Sequence, residues 1–449
     1  MEAIRYKNES KKTKKLVDRD LNHIWHPCSQ MKDYLDFPEL VIQKAKGAYL
    51  ILESGQYIID AISSWWCKSL GHQHPRLKTA LKRQLNAYEH VVSANTYQTP
   101  LIELSEKLAT LSPALNKVFY ANDGTTAVEI AIKMSLHMRY LTGNPFKSEM
   151  LALENSYHGE SILALSVSDL PLYRASYAPI LHPVHFLRSI PYVTSTSDPL
   201  FHDCSKLWPA IETQLSSIAD RLSLMIVEPI VQAAGGMKMY SQDFLRRLHS
   251  FAKQHDIHFI ADEIMTGFGR TGLALACHHA NIEPDLICLS KGLTAGFLPM
   301  SAVLIHSKFY QLCFDDYALG KSFLHSNTFS GNALAASVAL EHLRILEEED
   351  YYSRVQNLSD KFRHWMEDVR QATKKIANIR SIGAMVACDL LSNEAPRRYG
   401  YEVYKQAVKR GALLRPLGNT LYWTPPLNTP DKILIKLRDI TIESINAIG

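Results

Sequence analysis

The sequence predicts an α/β protein built around a mostly parallel sheet, and three observations support this. Between about residues 118 and 305, short β-branched runs alternate with amphipathic stretches, which is typical of a sheet covered by helices on both faces. After Gly331 the pattern changes to long helical stretches and weak strands, which indicates a smaller α+β unit. The segment GAYLILESGQYIIDA is typical of a hairpin around Ser54-Gly55, and the first 60 residues are predicted to join the smaller unit.

The predicted elements follow in chain order. The strands of the large sheet are VFYAN, MLALEN, LMIVEPIV, IHFIADE, LICLS and AVLIH, with SQDFLRRLHSFAKQHD as a helix among them. The smaller unit contains the helical stretches ALAASVALEHLRILEEED and YYSRVQNLSDKFRHWMEDVRQATKK and the strands IRSIGAMVACDLL and TLYWTPP. This organisation predicts an N-terminal segment 1–60, a large domain 61–335 and a small C-terminal domain 336–449.

Composition restricts the class of function. The chain has 449 residues, of which 46% are hydrophobic and 21% charged, as in soluble globular proteins. Its net charge of +4 is too small for nucleic-acid binding over the whole surface, so small molecules are the predicted partners. The sequence lacks the ~18 uninterrupted apolar residues of a membrane span, and its basic start lacks the apolar core of a signal peptide. We therefore predict a cytoplasmic protein without membrane contact.

The seven cysteines are scattered, with no CxxC pair and no zinc-finger spacing. They are predicted to be reduced thiols, in agreement with a cytoplasmic location, and no metal site is expected. Lys11, Lys12, Lys14 and Lys15 form a basic run near the start, which is predicted to be a solvated tail.

An aspartate and a lysine stand at the ends of two predicted strands. Asp262 closes the run IHFIAD, and Lys291 follows LICLS, 29 residues further along. Because open α/β sheets bind ligands beyond the carboxyl ends of their strands, both side chains are expected in one crevice. A desolvated lysine can form a Schiff base, and a buried aspartate can balance the charge of a pyridinium nitrogen. Each residue alone also fits a helix cap or a surface lysine, but together they predict covalently held pyridoxal phosphate.

Two further segments fit such a cofactor. In YANDGTTAVEIAIKM a strand is followed by a small-residue turn at Gly124 and Thr125 and then by a helix, whose N-terminus can bind a phosphate. Tyr157 and His158 follow the strand MLALEN, where an aromatic ring can lie against a flat ligand. An ordinary capped helix and a core tyrosine are the alternative interpretations.

Two motifs are rejected as functional sites. Gly267 to Gly272 spells GxGxxG, but it begins five residues after Asp262 and does not open a helix behind the first strand of a βαβ unit, so nucleotide binding is not predicted. His278 and His279 are adjacent and have no third metal ligand close by in the sequence.

Several segments resemble the class III aminotransferases over residues 23 to about 430: DEIMTGFGRTG, LSKGLTAG, VEPIVQAAGG and SNTFSGNALAA. Within that family, HIWHPCSQM, AISSWWCKSLGHQHP, ENSYHGES and LLRPLGNTLYWTPP resemble the biotin-pathway branch that aminates 8-amino-7-oxononanoate. The double tryptophan Trp65-Trp66 is the most specific of these features. The resemblance implies a fold-type I homodimer with a mostly parallel, seven-stranded large-domain sheet and a smaller α+β domain.

The resemblance also implies roles for individual residues. Lys291 would hold pyridoxal phosphate as a Schiff base and move the proton as general acid and base. Asn327 and Thr328 would reach the phosphate of the partner subunit's cofactor, so that the active site requires a dimer. The implied cofactor contacts are Gly124, Thr125, Tyr157, Asp262, Ile264, Lys291, Asn327 and Thr328.

The implied substrate contacts match a long apolar keto acid. Trp65 and Trp66 would form an aromatic wall, and Arg415 would bind the distal carboxylate through its guanidinium. Cys28 and Ser326-Asn327 depart from the best-known adenosylmethionine-dependent members of this branch, which carry a tyrosine and a glycine-proline pair there. Tyr422 is a candidate replacement for the tyrosine. The implied substrate contacts are Cys28, Trp65, Trp66, Tyr157, Lys291, Ser326, Arg415 and Tyr422.

The predicted reaction is the conversion of 8-amino-7-oxononanoate to 7,8-diaminononanoate with S-adenosylmethionine as amino donor. Cys28 leaves open a lysine-dependent enzyme of the same branch. A class III transaminase for ω-amino acids, which would not require Trp65-Trp66, and a pyridoxal-phosphate aminomutase are two more candidate functions. A nicotinamide oxidoreductase would rest on Gly267 to Gly272 alone, and a noncatalytic binding protein would leave Asp262 and Lys291 without a purpose.

Overall fold

The computed structural model describes residues 11–391 and 398–448. Residues 1–10, 392–397 and 449, which belong to the predicted N-terminal segment and small C-terminal domain, lie outside these ranges. The basic residues predicted as a solvated tail lie on a helix that begins at Lys11, with exposed lysine side chains. Lys12 forms an ion pair with Glu53 at 2.9 Å, so this helix contacts the N-terminal hairpin.

The strands of the described ranges are β1 Ile42–Lys46, β2 Tyr49–Leu52, β3 Tyr57–Asp60, β4 Lys117–Ala121, β5 Glu149–Leu153, β6 His185–Leu187, β7 Tyr192–Val193, β8 Leu222–Val227, β9 Val231–Gln232, β10 Lys238–Tyr240, β11 His258–Asp262, β12 Leu286–Leu289, β13 Ser301–Ile305, β14 Ile376–Ile382, β15 Met385–Leu390, β16 Ala412–Leu413 and β17 Thr420–Trp423.

The helices are α1 Lys11–His23, α2 Ser63–Trp66, α3 Pro75–Leu85, α4 Thr99–Ala109, α5 Gly124–Leu141, α6 Ile162–Ser166, α7 Pro171–Arg174, α8 Pro199–His202, α9 Trp208–Ser216, α10 Gln242–Gln254, α11 Ser307–Cys313, α12 Ala333–Glu348, α13 Tyr351–Gln356, α14 Leu358–Thr373, α15 Tyr399–Arg410 and α16 Asp431–Asn446. A short 3₁₀ helix spans Lys291–Thr294.

The large sheet has seven strands in the order β4-β13-β12-β11-β8-β5-β6. The pairs β12-β11, β11-β8, β8-β5 and β5-β6 are parallel, whereas β13 is antiparallel to both β12 and β4. The predicted fold class is therefore confirmed. Carboxyl ends of β5, β8, β11 and β12 meet at one edge, which is where an open α/β sheet binds its ligand.

Both faces of this sheet are covered, and the side chains of each buried strand alternate between two apolar cores, one on each face. Leu224 and Ile226 of β8 pack into the core that contains α5, whereas Met225 and Val227 pack into the core that contains α10 and α12. Side chains of a strand point alternately to its two faces, so continuously apolar runs such as LSLMIV require cover on both sides.

The N-terminal hairpin lies beside the C-terminal part of the chain. Strands β2 and β3 pair antiparallel, as predicted around Ser54-Gly55, and β3 pairs in parallel with β16. A separate antiparallel sheet of β14, β15 and β17 packs with α14, α15 and α16 around Trp423 and Phe362. These pairings support the predicted association of the N-terminal segment with the smaller unit, but the boundaries at residues 60 and 335 remain a prediction.

Several elements differ from the sequence prediction. The run LMIVEPIV, predicted as one strand, is divided into β8 of the large sheet and β9 of a separate sheet β7-β10-β9. Strand β6 was not predicted, because three residues are too few to show a period. The stretch IRSIGAMVACDLL forms the hairpin β14-β15 with Gly383 at its turn (φ +54), and the long helical stretch after Asp350 is divided at Asn357 into α13 and α14. Among the described residues, no helix is both long and apolar enough to cross a membrane.

Candidate active site

A cavity of about 170 Å³ lies at the carboxyl edge of the large sheet. Asp262 is the last residue of β11, and Lys291 lies two residues beyond β12. Tyr157 and Glu228 follow β5 and β8, so each side chain is carried by the end of a buried strand. The cavity is lined by Trp66, Asp123, Gly124, Thr125, Tyr157, His158, Gly159, Glu228, Ala233, Asp262, Ile264, Met265, Ser290 and Lys291.

The Asp262 carboxylate is buried and hydrogen-bonded on both oxygens. Oδ2 lies 2.7 Å from Nδ1 of His158, and Oδ1 accepts a hydrogen bond from the Ile264 backbone N–H at 3.1 Å. Nε2 of His158 is buried without a hydrogen-bond partner among the described residues. These contacts hold the carboxylate in one orientation at the cavity wall.

The Lys291 amine lies in the same cavity, with Nζ 4.6 Å from the centroid of the Trp66 ring. Burial lowers the pKa of this amine, while the nearby charges of Asp262, Glu228 and Cys67 oppose that shift. Burial disfavours the ammonium form because a charge in a low-dielectric site loses its hydration. A lowered pKa makes this amine more readily available as a nucleophile than that of an exposed lysine.

Glu228 is a second buried carboxylate at this edge. Its oxygens accept hydrogen bonds from the backbone N–H groups of Tyr157 at 3.0 Å and Ala233 at 2.9 Å. Burial raises the pKa of Glu228 to about 7, the His158 ring opposes this, and Asp262 adds to it. Asp262, Glu228, His158 and Lys291 thus share the cavity, and such a group of ionisable side chains suits proton transfer.

The small-residue turn is closely packed against two other segments. Asp123 caps α5 by accepting a hydrogen bond from the Thr126 N–H at 2.9 Å. A Cβ atom at Gly124 would lie 3.0 Å from the Ile264 side chain. At Gly159, where φ is +127°, a Cβ atom would lie 2.4 Å from Oγ1 of Thr125. Glycine at these positions lets the cavity wall approach the start of α5.

The two tryptophans contact different basic side chains. The Arg415 guanidinium lies 4.6 Å from the centroid of the Trp65 ring and donates a hydrogen bond to the Cys28 carbonyl at 2.6 Å. Trp65 is 39% exposed, whereas Trp66 is buried and lines the cavity beside Lys291. Arg415 and Cys28 line a second cavity of about 880 Å³. The adjacent residues Trp65 and Trp66 therefore connect the surroundings of Arg415 with those of Lys291.

Some predicted site residues lie outside the smaller cavity. Tyr422 is buried behind Trp66, and the two rings meet edge to face at a centroid distance of 6.1 Å. Ser326 and Thr328 are exposed in a loop where the Thr328 carbonyl accepts a hydrogen bond from His90 at 2.9 Å. Asn327 donates its backbone N–H to Ser330 at 3.3 Å. No residue of this loop is among the described residues that line the smaller cavity of the same chain.

Sequence reasoning assigned no role to three side chains of this region. His158 was seen as the neighbour of Tyr157 but not as the partner of Asp262, which lies 104 residues away. Glu228 directly follows a buried strand, as Asp262 ends one, and the same rule would have identified it. Glu160 accepts a hydrogen bond from the Tyr157 hydroxyl at 2.8 Å and lies 3.7 Å from the Cys28 thiol, and its position in the sequence carries no comparable signal.

The rejected motifs make structural contacts. Arg270, within Gly267 to Gly272, is buried and donates to the Pro425 carbonyl at 2.8 Å, so this loop joins the large sheet to the smaller unit. His278 contacts the Leu111 carbonyl and His279 the Thr271 carbonyl. Throughout the described ranges, no group of three or more His, Cys, Asp or Glu side chains is arranged to hold a metal ion.

Comparison with known proteins identifies the family. The model of the family "Aminotransferase class-III" matches residues 30–445. The adenosylmethionine-8-amino-7-oxononanoate aminotransferase of Helicobacter pylori is 37% identical over 415 residues, which are 92% of this chain and 93% of the relative. That of Methanocaldococcus jannaschii is 31% identical over 456 residues, covering 96% of this chain and 98% of the relative.

Solved structures agree with this. The crystal structure of the Methanocaldococcus jannaschii enzyme has a TM-score of 0.89 at 30% identity and covers 97% of this chain and 99% of its own. An amine transaminase from an uncultivated Pseudomonas species, in a PLP-bound form, has a TM-score of 0.86 at 26% identity and covers 95% of this chain and 99% of its own. The chain therefore belongs to the class III aminotransferases, which are pyridoxal-phosphate-dependent transaminases.

Proposed function

We propose that this class III aminotransferase converts 8-amino-7-oxononanoate to 7,8-diaminononanoate in biotin biosynthesis, with S-adenosylmethionine as amino donor. The observation that carries the proposal is the Trp65-Trp66 pair, which links Lys291 to Arg415. An aromatic wall between a reactive amine and a fixed cation suits a long apolar chain with a distal carboxylate. Relatives bearing this activity in their names match more than nine-tenths of the chain.

The residues of the smaller cavity fit pyridoxal phosphate. Gly124 and Thr125, at the start of α5, would hold the phosphate, while Ile264 and Tyr157 would flank the ring. When bound, the cofactor supplies an electron sink for the carbon that loses its proton. Asp262, hydrogen-bonded to His158 at the cavity wall, would lie where a carboxylate can balance a protonated ring nitrogen.

Lys291 performs the proton transfers. Its Nζ would hold the cofactor covalently, and the same amine would serve as base and acid at the substrate carbon. Burial lowers the pKa of this amine, which favours that proton transfer. The Trp66 ring beside Nζ excludes water from this amine.

The close packing at the phosphate turn yields a first prediction. Gly159→Ala is expected to weaken pyridoxal-phosphate binding by about 10- to 100-fold, because the added methyl group displaces Thr125 from the start of α5. Equilibrium titration of the apoenzyme with the cofactor measures this. Gly143→Ala is the matched control, since Gly143 also has a positive φ (+75°) but nothing lies within 4 Å of an added Cβ. Equal affinities for the two variants would refute the proposed phosphate site.

Arg415 is the proposed anchor of the acceptor carboxylate. Arg415→Ala is expected to raise KM for 8-amino-7-oxononanoate by about 10- to 100-fold, because a charged hydrogen bond is lost. The value of kcat should change less, since the carboxylate lies far from the reacting carbon. Steady-state kinetics at saturating donor measures both. Arg438→Ala is the control, because Arg438 forms surface ion pairs on α16. An unchanged KM for Arg415→Ala would remove this residue from the acceptor site.

The donor is tested separately. Glu160, near Cys28 and Tyr157, places a carboxylate where a cationic donor can be bound, and this feature suits S-adenosylmethionine as well as lysine. The holoenzyme is mixed with S-adenosylmethionine, lysine, ornithine or 4-aminobutyrate, and the loss of the visible absorbance of bound cofactor is recorded. We expect S-adenosylmethionine to be effective. A response to lysine alone identifies the lysine-dependent enzyme, and a response to 4-aminobutyrate but neither of those two contradicts the biotin assignment.

The assembly that we propose is a cytoplasmic homodimer that binds small molecules and no nucleic acid. Ser326, Asn327 and Thr328 lie on a loop whose neighbours Leu324 and Tyr317 are 87% and 94% exposed. Large apolar side chains so exposed support a subunit interface. In this arrangement the loop completes the cofactor site of the partner subunit. Sedimentation of the holoenzyme measures the subunit number.

A further inference from the structure

We propose that Asp60 is a positioning residue of the active site: it fixes a left-handed turn at Ser63–Trp66 and thereby sets Trp65 against Arg415 and Trp66 against Lys291. The inference rests on the proposed function for its substrate, but its structural part does not. Asp60 is the last residue of β3 and lies outside the lining of both cavities.

The turn has an unusual backbone. Four consecutive residues without glycine have positive φ: 50° at Ser63, 45° at Ser64, 71° at Trp65 and 73° at Trp66. The backbone N–H of Trp66 donates to the Ile62 carbonyl at 2.8 Å. L-residues disfavour this conformation because Cβ crowds the following carbonyl oxygen, so a left-handed turn of four such residues persists only where surrounding contacts hold it.

Asp60 supplies those contacts. Its side chain is fully buried, and Oδ1 accepts the Ser64 backbone N–H at 2.8 Å. Oδ2 accepts the Ser64 hydroxyl at 2.7 Å and lies 2.9 Å from Nε2 of His72. Ser63 adds a hydrogen bond from its hydroxyl to the Thr424 carbonyl at 2.6 Å. One carboxylate thus binds the centre of the turn and joins it to the segment that follows.

The turn orients both tryptophan rings. Because φ of Trp65 and Trp66 sets the direction of each Cα–Cβ bond, relaxation to negative φ would turn both rings away from their present positions. The Arg415 guanidinium would lose its contact with the Trp65 ring, and the Lys291 amine would lose its contact with the Trp66 ring. Each group now lies 4.6 Å from the ring centroid. Asp60 therefore acts on the site through the turn without touching substrate.

Asp60→Asn tests the inference, because the amide keeps the size but loses one acceptor and the charge. We expect KM for 8-amino-7-oxononanoate to rise about 10-fold and kcat to fall by a smaller factor, because the Lys291 amine also loses its contact with the Trp66 ring. Asp243→Asn is the matched control: Asp243 is also buried and accepts the Cys204 N–H at 3.0 Å, but lies on α10. An increase in KM that is equal in both variants, or absent in Asp60→Asn, would overturn the proposal.

A second measurement does not depend on turnover. Calorimetric binding of 8-amino-7-oxononanoate is compared in Lys291→Ala protein with and without Asp60→Asn, and we expect about 10-fold weaker binding with it. A crystal structure of Asp60→Asn should show negative φ in the turn and displaced tryptophan rings. An unchanged turn would overturn the inference. An unsubstituted enzyme that does not use 8-amino-7-oxononanoate would instead refute the proposed function, and the crystal structure would still decide the role of Asp60.

Discussion

Lys291→Ala is expected to lower the rate of transamination by about 10³- to 10⁴-fold, near the upper range for removal of a general acid-base group. The substitution removes both the amine that holds the cofactor and the base that moves the substrate proton. Stopped-flow measurement of each half-reaction records the rate. The visible absorbance band of covalently bound cofactor should disappear in the same protein.

Lys308→Ala controls for the loss of a lysine, since the Lys308 ammonium pairs with Asp285 on the surface. A small primary amine added to Lys291→Ala should restore part of the rate, because it can replace the missing base. A Lys291→Ala enzyme that retained its rate and its absorbance would refute the assignment of Lys291 and with it the proposed mechanism.

Asp262→Asn is expected to lower kcat by about 10²- to 10³-fold, comparable to removal of one preorganised electrostatic contact in an active site. The amide has nearly the same shape but carries no charge to balance a protonated ring nitrogen. The cofactor should stay attached through Lys291, so the visible band should persist while kcat falls. Steady-state kinetics and absorbance spectra of one preparation measure the two effects together.

Asp285→Asn is the comparison for this substitution. Asp285 accepts the Phe259 N–H at 2.8 Å, but it precedes β12 and lies at the opposite end of the sheet from Lys291. We expect kcat close to that of the unsubstituted enzyme. Equal values of kcat for the Asp262 and Asp285 variants would mean that the charge of Asp262 has no part in the reaction.

Strands β8, β11, β12 and β13 of the large sheet were predictable because they are buried throughout and their sequences are mostly apolar runs. Those runs do not indicate the order of the strands in the sheet. The antiparallel strand β13 and the short β6 depend on contacts with neighbours distant in the chain. Residues 376–390 likewise gave no sign of the turn at Gly383, where φ is +54°.

In the candidate site, too, some residues were predictable from local sequence, whereas their contacts depend on the fold. Asp262 and Lys291 were predictable from local sequence, since each follows a buried strand and parallel strands present their carboxyl ends at one edge. The partner of Asp262 was not, because His158 reaches it across 104 residues through the packing of β5, β8 and β11. The pKa of Glu228 is raised chiefly by burial and further by Asp262, and both causes depend on the folded structure.

The sequence alone predicted most of the residues proposed to carry the chemistry: Lys291, Asp262, the small-residue turn at Gly124 and Thr125, and Trp65-Trp66, each at the end of an element. Tertiary structure decided how they act together. It placed Trp65 and Trp66 on a left-handed turn held by Asp60, so that adjacent residues face Arg415 and Lys291. Hydrophobic periodicity specifies which face of an element is buried, whereas the left-handed turn at Ser63–Trp66 accepts support from a carboxylate that only folding buries.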